Sequence, residues 1–240
     1  MTDVNTDLQK IMAKTVGDSR AWSLSNLQLG KACRILFLNA HGVNMAAEND
    51  DFRAAMLSAD HLLRDGIGVS LGLKMLGLEE TENLNGTDLI PKILGPHKDR
   101  KIAVWGSSEA ALDALRSRLE VEGFSGLQPF EHGFHEDAFY LDAYARTRPE
   151  ILVLCMGMPR QEVLSTKLIE AGAGGLIICG GGWANFYSGH QQRAPEWVQK
   201  LRLEWLHRLS REPKRLGKRY TVDIFRYFRR IRQLNRQMGQ

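Results

Sequence analysis

The chain has 240 residues, 43% of them hydrophobic, which is enough to bury one substantial core without covalent staples. Its three cysteines, Cys33, Cys155 and Cys179, lie in or beside apolar runs, which suits free thiols in a reducing compartment and excludes a disulfide framework. There is no apolar run of membrane-spanning length and no apolar h-region near the start, so the sequence reads as neither exported nor membrane-spanning.

Short apolar runs at 35–38, 102–105, 151–156 and 176–179 predict β-strands, with weaker candidates at 61–64 and 127–131. Amphipathic stretches between them predict helices near 42–59, 67–77, 87–94, 108–122, 137–147 and 160–171, with Gly123 and Gly172 as stop signals. This alternation describes βαβ units, hence a Rossmann-like, mostly parallel α/β sheet with helices on both faces. Beyond Gly189 the pattern is helical only. A segment at 195–210 opens with Pro195, and Pro213 separates it from the last stretch. There Tyr220, Ile224, Tyr227, Phe228, Ile231 and Leu234 share one helical stripe. The expected division is an α/β body over 1–194 and a basic helical appendage over 195–240.

Charge follows the same division. Residues 196–240 carry 13 Lys/Arg and 4 Asp/Glu, a net +9 in a chain whose total is +4, so the body is acidic. A tail of this kind points to a polyanion, whether phospholipid head groups, nucleic acid or a phosphorylated substrate; a solvated helical face is the plainer reading. Arg219, Arg226, Arg229, Arg230, Arg232 and Arg236 frame the aromatic-rich stripe as an in-plane membrane helix requires. Packing of the stripe on the chain's own sheet, or on a second copy, is the competing arrangement.

Ligands of open α/β sheets bind beyond the carboxyl ends of the strands. There the sequence places Asn39-Ala-His41, Asp65-Gly66-Ile-Gly68, Gly106-Ser-Ser108, Gly157-Met-Pro-Arg-Gln161-Glu162 and Gly180-Gly-Gly-Trp-Ala-Asn185. Glycine turns let the backbone approach a ligand closely, and amides at the following helix N-termini can hold a diphosphate. Gly66, Gly68, Gly106, Gly180 and Asn185, together with Gly86 and Asp88 of Gly86-Thr-Asp88, are therefore candidate binding residues. Asp65 is placed to take a proton from a hydroxyl, although on the residues alone an N-cap for the helix starting near Ile67 is the plainer reading. Asp88 carries the same ambiguity.

Other chemistries find little support. Gly66-x-Gly68-x-x-x-Gly72 has one residue too many for a dinucleotide fingerprint, and neither a P-loop nor Gly-x-Ser-x-Gly occurs. His132-Gly-Phe-His135 is the one close histidine pair and lacks partners for a metal. With no Asp-x-Asp either, no metal and no cofactor is expected, and phosphates would be held by backbone amides and arginines.

Taken in order, Asn39-Ala-His41, Asp65-Gly66-Ile-Gly68-Val, Gly86-Thr-Asp88-Leu, His132-Gly133-Phe134 and Gly157-Met-Pro159-Arg-Gln161-Glu162 form a pattern with later pieces. These are Gly189, Arg193-Ala-Pro195-Glu-Trp197, Glu204-Trp205-Leu-His-Arg208 and Glu212-Pro213-Lys-Arg215. The pattern resembles the WecG/TagA/CpsF bacterial glycosyltransferases, glycosyltransferase family 26, over about three quarters of the chain. The resemblance implies a UDP-sugar donor and inverting transfer without a metal to an undecaprenyl-diphosphate-linked glycan, in surface or exopolysaccharide synthesis. It implies a cytoplasmic protein, peripheral on the inner face of the cell membrane, with an anionic lipid surface as partner. It makes Asp65 the base and places Asn39 and Gln161, with Glu162 beside it, at the donor. Arg208, Arg211, Arg215 and Arg219, with Arg193, would meet acceptor or donor phosphates once the appendage covers the site. Three positions depart from the family's habit: Phe37 stands where Thr is frequent, Asn83 where Arg is, and Asn185 where an acid is. The donor sugar is therefore not implied.

A nucleic-acid-binding protein, using Tyr220, Tyr227 and Phe228 to stack on bases, would leave the glycine turns without a purpose, and no nucleic-acid partner is expected. A catalytically silent scaffold of a polysaccharide-assembly complex is the other alternative. A homo-oligomer is compatible with the apolar stripe.

Overall fold

The computed structural model describes residues 3–27, 29–79, 81–201 and 203–238, with Asn26, Lys200 and Arg215 described by their backbone alone. In chain order the elements are α1 (Val4–Ala21), β1 (Cys33–Leu38), α2 (Ala40–Glu48), α3 (Asp50–Leu57), β2 (His61–Arg64), α4 (Ile67–Met75) and α5 (Gly86–Leu94). Then come β3 (Ile102–Gly106), α6 (Glu109–Val121), α7 (Asp137–Thr147), β4 (Ile151–Cys155), α8 (Arg160–Glu170), β5 (Leu176–Cys179) and α9 (Trp183–Tyr187). The C-terminal part holds α10 (Glu196–Lys200), α11 (Glu204–Arg211), α12 (Pro213–Lys218), a π-helical turn (Arg219–Asp223) and α13 (Ile224–Met238).

The five strands form one parallel sheet in the order β2-β1-β5-β4-β3. Helices cover both faces, which is why the strands read as continuous apolar runs. Alternate side chains enter separate layers. Leu36, Leu38, Leu62, Trp105, Leu154 and Ile177 meet α1 to α4, α7, α8 and α13, whereas Ile35, Phe37, Leu63, Val104, Val153 and Ile178 meet α5, α6 and α9. The expected Rossmann-like α/β fold is the one found.

Several boundaries differ from expectation. Residues 127–131 contribute isolated bridges, Leu127 to Ile102 and Glu131 to Trp105, instead of a strand. The helix expected over 42–59 breaks at Asn49, whose Oδ1 accepts the Phe52 N–H at 2.8 Å and starts α3. The segment at 195–210 is two helices, α10 and α11. α1 was not anticipated, and it does specific work. Its Asp18 and Ser19 side chains accept the outward N–H groups of Leu62 (2.8 Å) and Arg64 (3.0 Å), closing the free edge of β2.

The largest correction concerns the C-terminal stripe. Tyr227, Ile231 and Leu234 are fully buried within the body's core, with Ile224 and Phe228 packed beside them, so they do not face an acyl boundary. α13 lies on α2 and α4. Tyr227 donates its hydroxyl to Gly68 O at 3.0 Å, and a Cβ on Gly72 would stand 1.9 Å from that hydroxyl. Gly72 thus opens the groove on α4 for the Tyr227 ring, and burial of each large apolar side chain contributes about 1.5–3 kcal/mol. Among the described residues no helix is long and apolar enough to cross a membrane.

Candidate active site

Because the sheet is parallel, its strands end on one rim, where Asn39, Asp65, Ser107, Gly157 and Gly180 are gathered. Asp65 donates its backbone N–H to Leu38 O (2.8 Å) across the β1–β2 pair. Gly66, with φ at 88°, is the N-cap of α4, and no side chain caps that helix. The Asp65 carboxylate is therefore not spent on tying down its own helix. Asn39 caps α2 through Oδ1, which accepts Gly42 N–H at 3.0 Å, and its side chain amide stands near enough to Asp65 to favour the charged carboxylate. Burial pushes the Asp65 pKa above the ordinary carboxylate value; Arg208, Arg219 and the Asn39 bond pull it back, and Glu204 pushes it further up.

A frame not legible in the sequence holds the backbone next to this carboxylate. Asn83 Oδ1 accepts Gly66 N–H at 2.7 Å. The loop carrying Asn83 is tied to the end of β2 by the buried Arg64, which donates to Ser70 Oγ (3.0 Å), Glu82 O (3.1 Å) and Thr81 O.

The C-terminal segment closes over the rim. Arg193 joins Asp88 on α5 to Glu204 on α11, the latter at 3.2 Å from Nε. Asp88 and Asn85 form a reciprocal cap, Asp88 N–H to Asn85 Oδ1 at 3.0 Å and Asn85 Nδ2 to Asp88 Oδ2 at 2.7 Å. Burial raises the Asp88 pKa, but the bonds from Arg193 and Asn85 outweigh it and hold the carboxyl below its usual range. Asp88 and Arg193 thus act on each other in this closed arrangement. The Arg208 guanidinium lies 4.6 Å from the Phe186 ring centre and Arg211 is exposed, while the Arg215 side chain lies outside the described residues. The turn bearing Arg219 is anchored where Asn44 Nδ2 donates to Asp223 O at 2.7 Å and His41 Nδ1 stands 3.7 Å from Asp223 Oδ2. Burial, helped by Arg219, lowers the His41 pKa against Asp223 and Glu48.

At the other end of the rim, Gln161 clamps two turns: its Oε1 accepts Gly157 N–H (3.1 Å) and Gly181 N–H (3.0 Å). Its Nε2 then donates to Glu162 Oε1 at 2.8 Å. Both side chains are buried, so they shape the turns from beneath. Burial raises the Glu162 pKa to about 7 in spite of the bond from Gln161. Gly106, at φ 123°, has no room for a Cβ, which would lie 2.3 Å from the Cys155 carbonyl carbon. Ser107 Oγ donates to Asn185 Oδ1 at 2.5 Å. Gly68, Gly86 and Gly180 face protein, meeting Ala40, the Phe37 ring and Ile90. Beside Ser107, whose O accepts Gly133 N–H at 3.0 Å, Phe134 stands 76% exposed at the lip, a feature the sequence motif contained but to which it gave no role. Among the described residues no group of His, Cys, Asp and Glu is arranged to hold a metal ion.

The chain can be compared with known proteins on this basis. The family model described as the glycosyl transferase WecG/TagA/CpsF family matches residues 8–240. A relative from Bacillus spizizenii (strain ATCC 23059 / NRRL B-14472 / W23), an N-acetylglucosaminyldiphosphoundecaprenol N-acetyl-beta-D-mannosaminyltransferase, is 27% identical over 185 residues, covering 75% of this chain and 72% of the relative. A protein of the same name from Bacillus subtilis (strain 168) is 25% identical over 191 residues, with the same coverage. A match over nearly the whole length, on a fold whose rim assembles the motif residues, makes this chain an enzyme of the WecG/TagA/CpsF glycosyltransferase family.

Proposed function

We propose that the chain transfers a sugar from a UDP-sugar to a polyprenyl-diphosphate-linked glycan, with inversion and without a metal ion. The observation that carries this reading is the Asp65 carboxylate: unspent as a cap, beside Asn39, and lying in the field of Arg208 and Arg219 from the C-terminal segment. In a single displacement the acceptor hydroxyl oxygen attacks the anomeric carbon, its proton passes to Asp65, and the bond to the UDP oxygen breaks. A raised pKa makes Asp65 a stronger base than a solvated carboxylate. Charge developing on the diphosphate falls to the arginines closing the site, an electrostatic task that needs no divalent ion. The exposed Phe134 ring offers the nucleobase a stacking surface.

Acceptor access follows from the same segment. Trp205, Leu206, Val222 and Phe225 are exposed on the C-terminal helices and their connecting turn, and arginines accompany them. Apolar side chains with neighbouring cations suit a peripheral protein resting on anionic lipid at the inner face of the membrane, where a lipid-linked diphosphate is presented. Donors should be screened by UDP release with undecaprenyl-diphosphate-N-acetylglucosamine as acceptor, in EDTA, beginning with UDP-N-acetylmannosamine because the relatives' names specify that sugar. Turnover in EDTA with inverted anomeric configuration is expected. A retained configuration, or turnover only after a metal is restored, would overturn the mechanism, and no turnover with any donor would favour the scaffold.

A further inference from the structure

On the flank of the molecule, at the end of α2 far from Asn39, α13 and α2 border an open cavity of about 410 Å³ lined by Glu48, Arg226, Arg229, Arg230 and Gln233. Three guanidiniums against one carboxylate leave this lining with two excess positive charges. Arg230 reaches Glu48 at 3.4 Å and Arg226 reaches Asp223 at 3.9 Å, while Arg229 has no carboxylate at ion-pair distance among the described residues. Arg230 Nε is buried and has no hydrogen-bond partner among them. Burial lowers the Arg230 pKa; Glu48 opposes this and the crowding of Arg229 and Arg226 adds to it. Like charges pressed together are stabilised by a group with concentrated negative charge and several acceptor oxygens, which describes a phosphate.

The surroundings narrow the source of that phosphate. Phe225, 71% exposed, and Val222, 46% exposed, lie beside the cavity on the outward side of α13 and its preceding turn. Arg229 and Arg232 follow Phe225 at four and seven residues, on the same face. A ligand bearing both a phosphate and an apolar chain satisfies the two features together. We propose that this cavity binds the phosphate of an anionic phospholipid, at a site separate from the cleft around Asp65. The site would fix the height and tilt of the molecule on the bilayer, a task the buried stripe of α13 cannot perform.

The test uses the full chain sedimented with vesicles of phosphatidylcholine, with or without phosphatidylglycerol, and with inorganic phosphate or single-stranded DNA as competitor. Binding is expected only with phosphatidylglycerol. The pair Arg229→Gln/Arg230→Gln should lose about tenfold more affinity than the pair Arg232→Gln/Arg236→Gln, which removes the same charge outside the cavity. That margin reflects charge-assisted hydrogen bonds over diffuse attraction to the surface. Phe225→Ser should weaken vesicle binding too. Melting temperatures close to wild type exclude misfolding, and UDP release with a detergent-solubilised acceptor should stay unchanged in the Arg229/Arg230 variant, which separates this site from the catalytic reading. Equal losses in the two arginine pairs, complete displacement by inorganic phosphate with Phe225→Ser silent, tighter binding to DNA than to vesicles, or a fall in soluble turnover would each overturn the proposal.

Discussion

Gly72→Ala distinguishes a docked C-terminal helix from a free one by the sign of its effect. The new Cβ would lie 1.9 Å from Tyr227 Oη and 2.9 Å from its Cζ, far inside van der Waals contact. Tyr227 is fully buried and its hydroxyl is committed to Gly68 O at 3.0 Å, so relief requires α13 to shift and that bond to stretch. Overpacking costs about 1–3 kcal/mol and the lost bond about 1 kcal/mol, against about 1 kcal/mol gained because alanine favours helix over glycine. The net is a loss of about 1–3 kcal/mol, or roughly 2–4 °C in Tm for each kcal/mol in a chain of this size. Were α13 detached from the body, only the helix propensity would remain and the variant would be stabilised. Urea unfolding of Gly72→Ala, Tyr227→Phe and the double variant completes the cycle. Removing the hydroxyl should recover part of the clash, giving a coupling of about 0.5–3 kcal/mol. Stabilisation by Gly72→Ala, or strict additivity, would refute the docking.

Three further outcomes follow from the site and its supports. Activity should fall on the acid side as Asp65 takes up its proton, at a pH above the usual carboxylate value of about 3.9, because the Asp65 pKa is raised. In pH-rate profiles Arg208→Gln should move that limb up and Glu204→Gln should move it down; shifts in the same direction would assign the limb to another group. Glu162, raised from 4.5 to about 7, is least costly while protonated, so stability should decline as pH rises from about 4.5 to about 7, by about 3 kcal/mol in total. Glu162→Gln should flatten this decline in melts taken across that range, and parallel curves would contradict it. Ending the chain at residue 195 should strip the cover from α2 and α4, forfeiting about 5–9 kcal/mol of gross burial from Tyr227, Ile231 and Leu234. A lower Tm and self-association on gel filtration are expected; a stable monomer would show that α13 contributes little.

The strands were legible because each is buried on both faces, so composition alone marks runs such as Ile151–Cys155. Their common carboxyl rim followed from the parallel sheet, and with it the neighbourhood of Asn39, Asp65 and Gly180. Other features depended on partners distant in sequence. The periodicity of Tyr227, Ile231 and Leu234 says that one face is buried, but not against what; the deciding signal was Gly72 on α4, a gap that the Tyr227 ring fills. Asp65 was ambiguous between cap and base because both uses need a carboxylate at a strand end, and the capping geometry of Gly66 removes the first of these. The Arg64 frame that places Asn83 over Gly66 rests on backbone carbonyls, which leave no mark in side-chain pattern. α1 could have been read from the spacing of Leu8, Ile11, Met12 and Val16, although its closure of the β2 edge could not.

In the proposed reaction Asp65 removes the acceptor proton while residues on the C-terminal segment attend the diphosphate. Single-turnover transfer by Asp65→Asn, measured alongside UDP affinity by calorimetry, tests it most directly, since the amide keeps the shape and loses the basicity. The rate should fall by about 10²–10⁴ with UDP binding unchanged. Transfer within about tenfold of wild type would place the base elsewhere and contradict it.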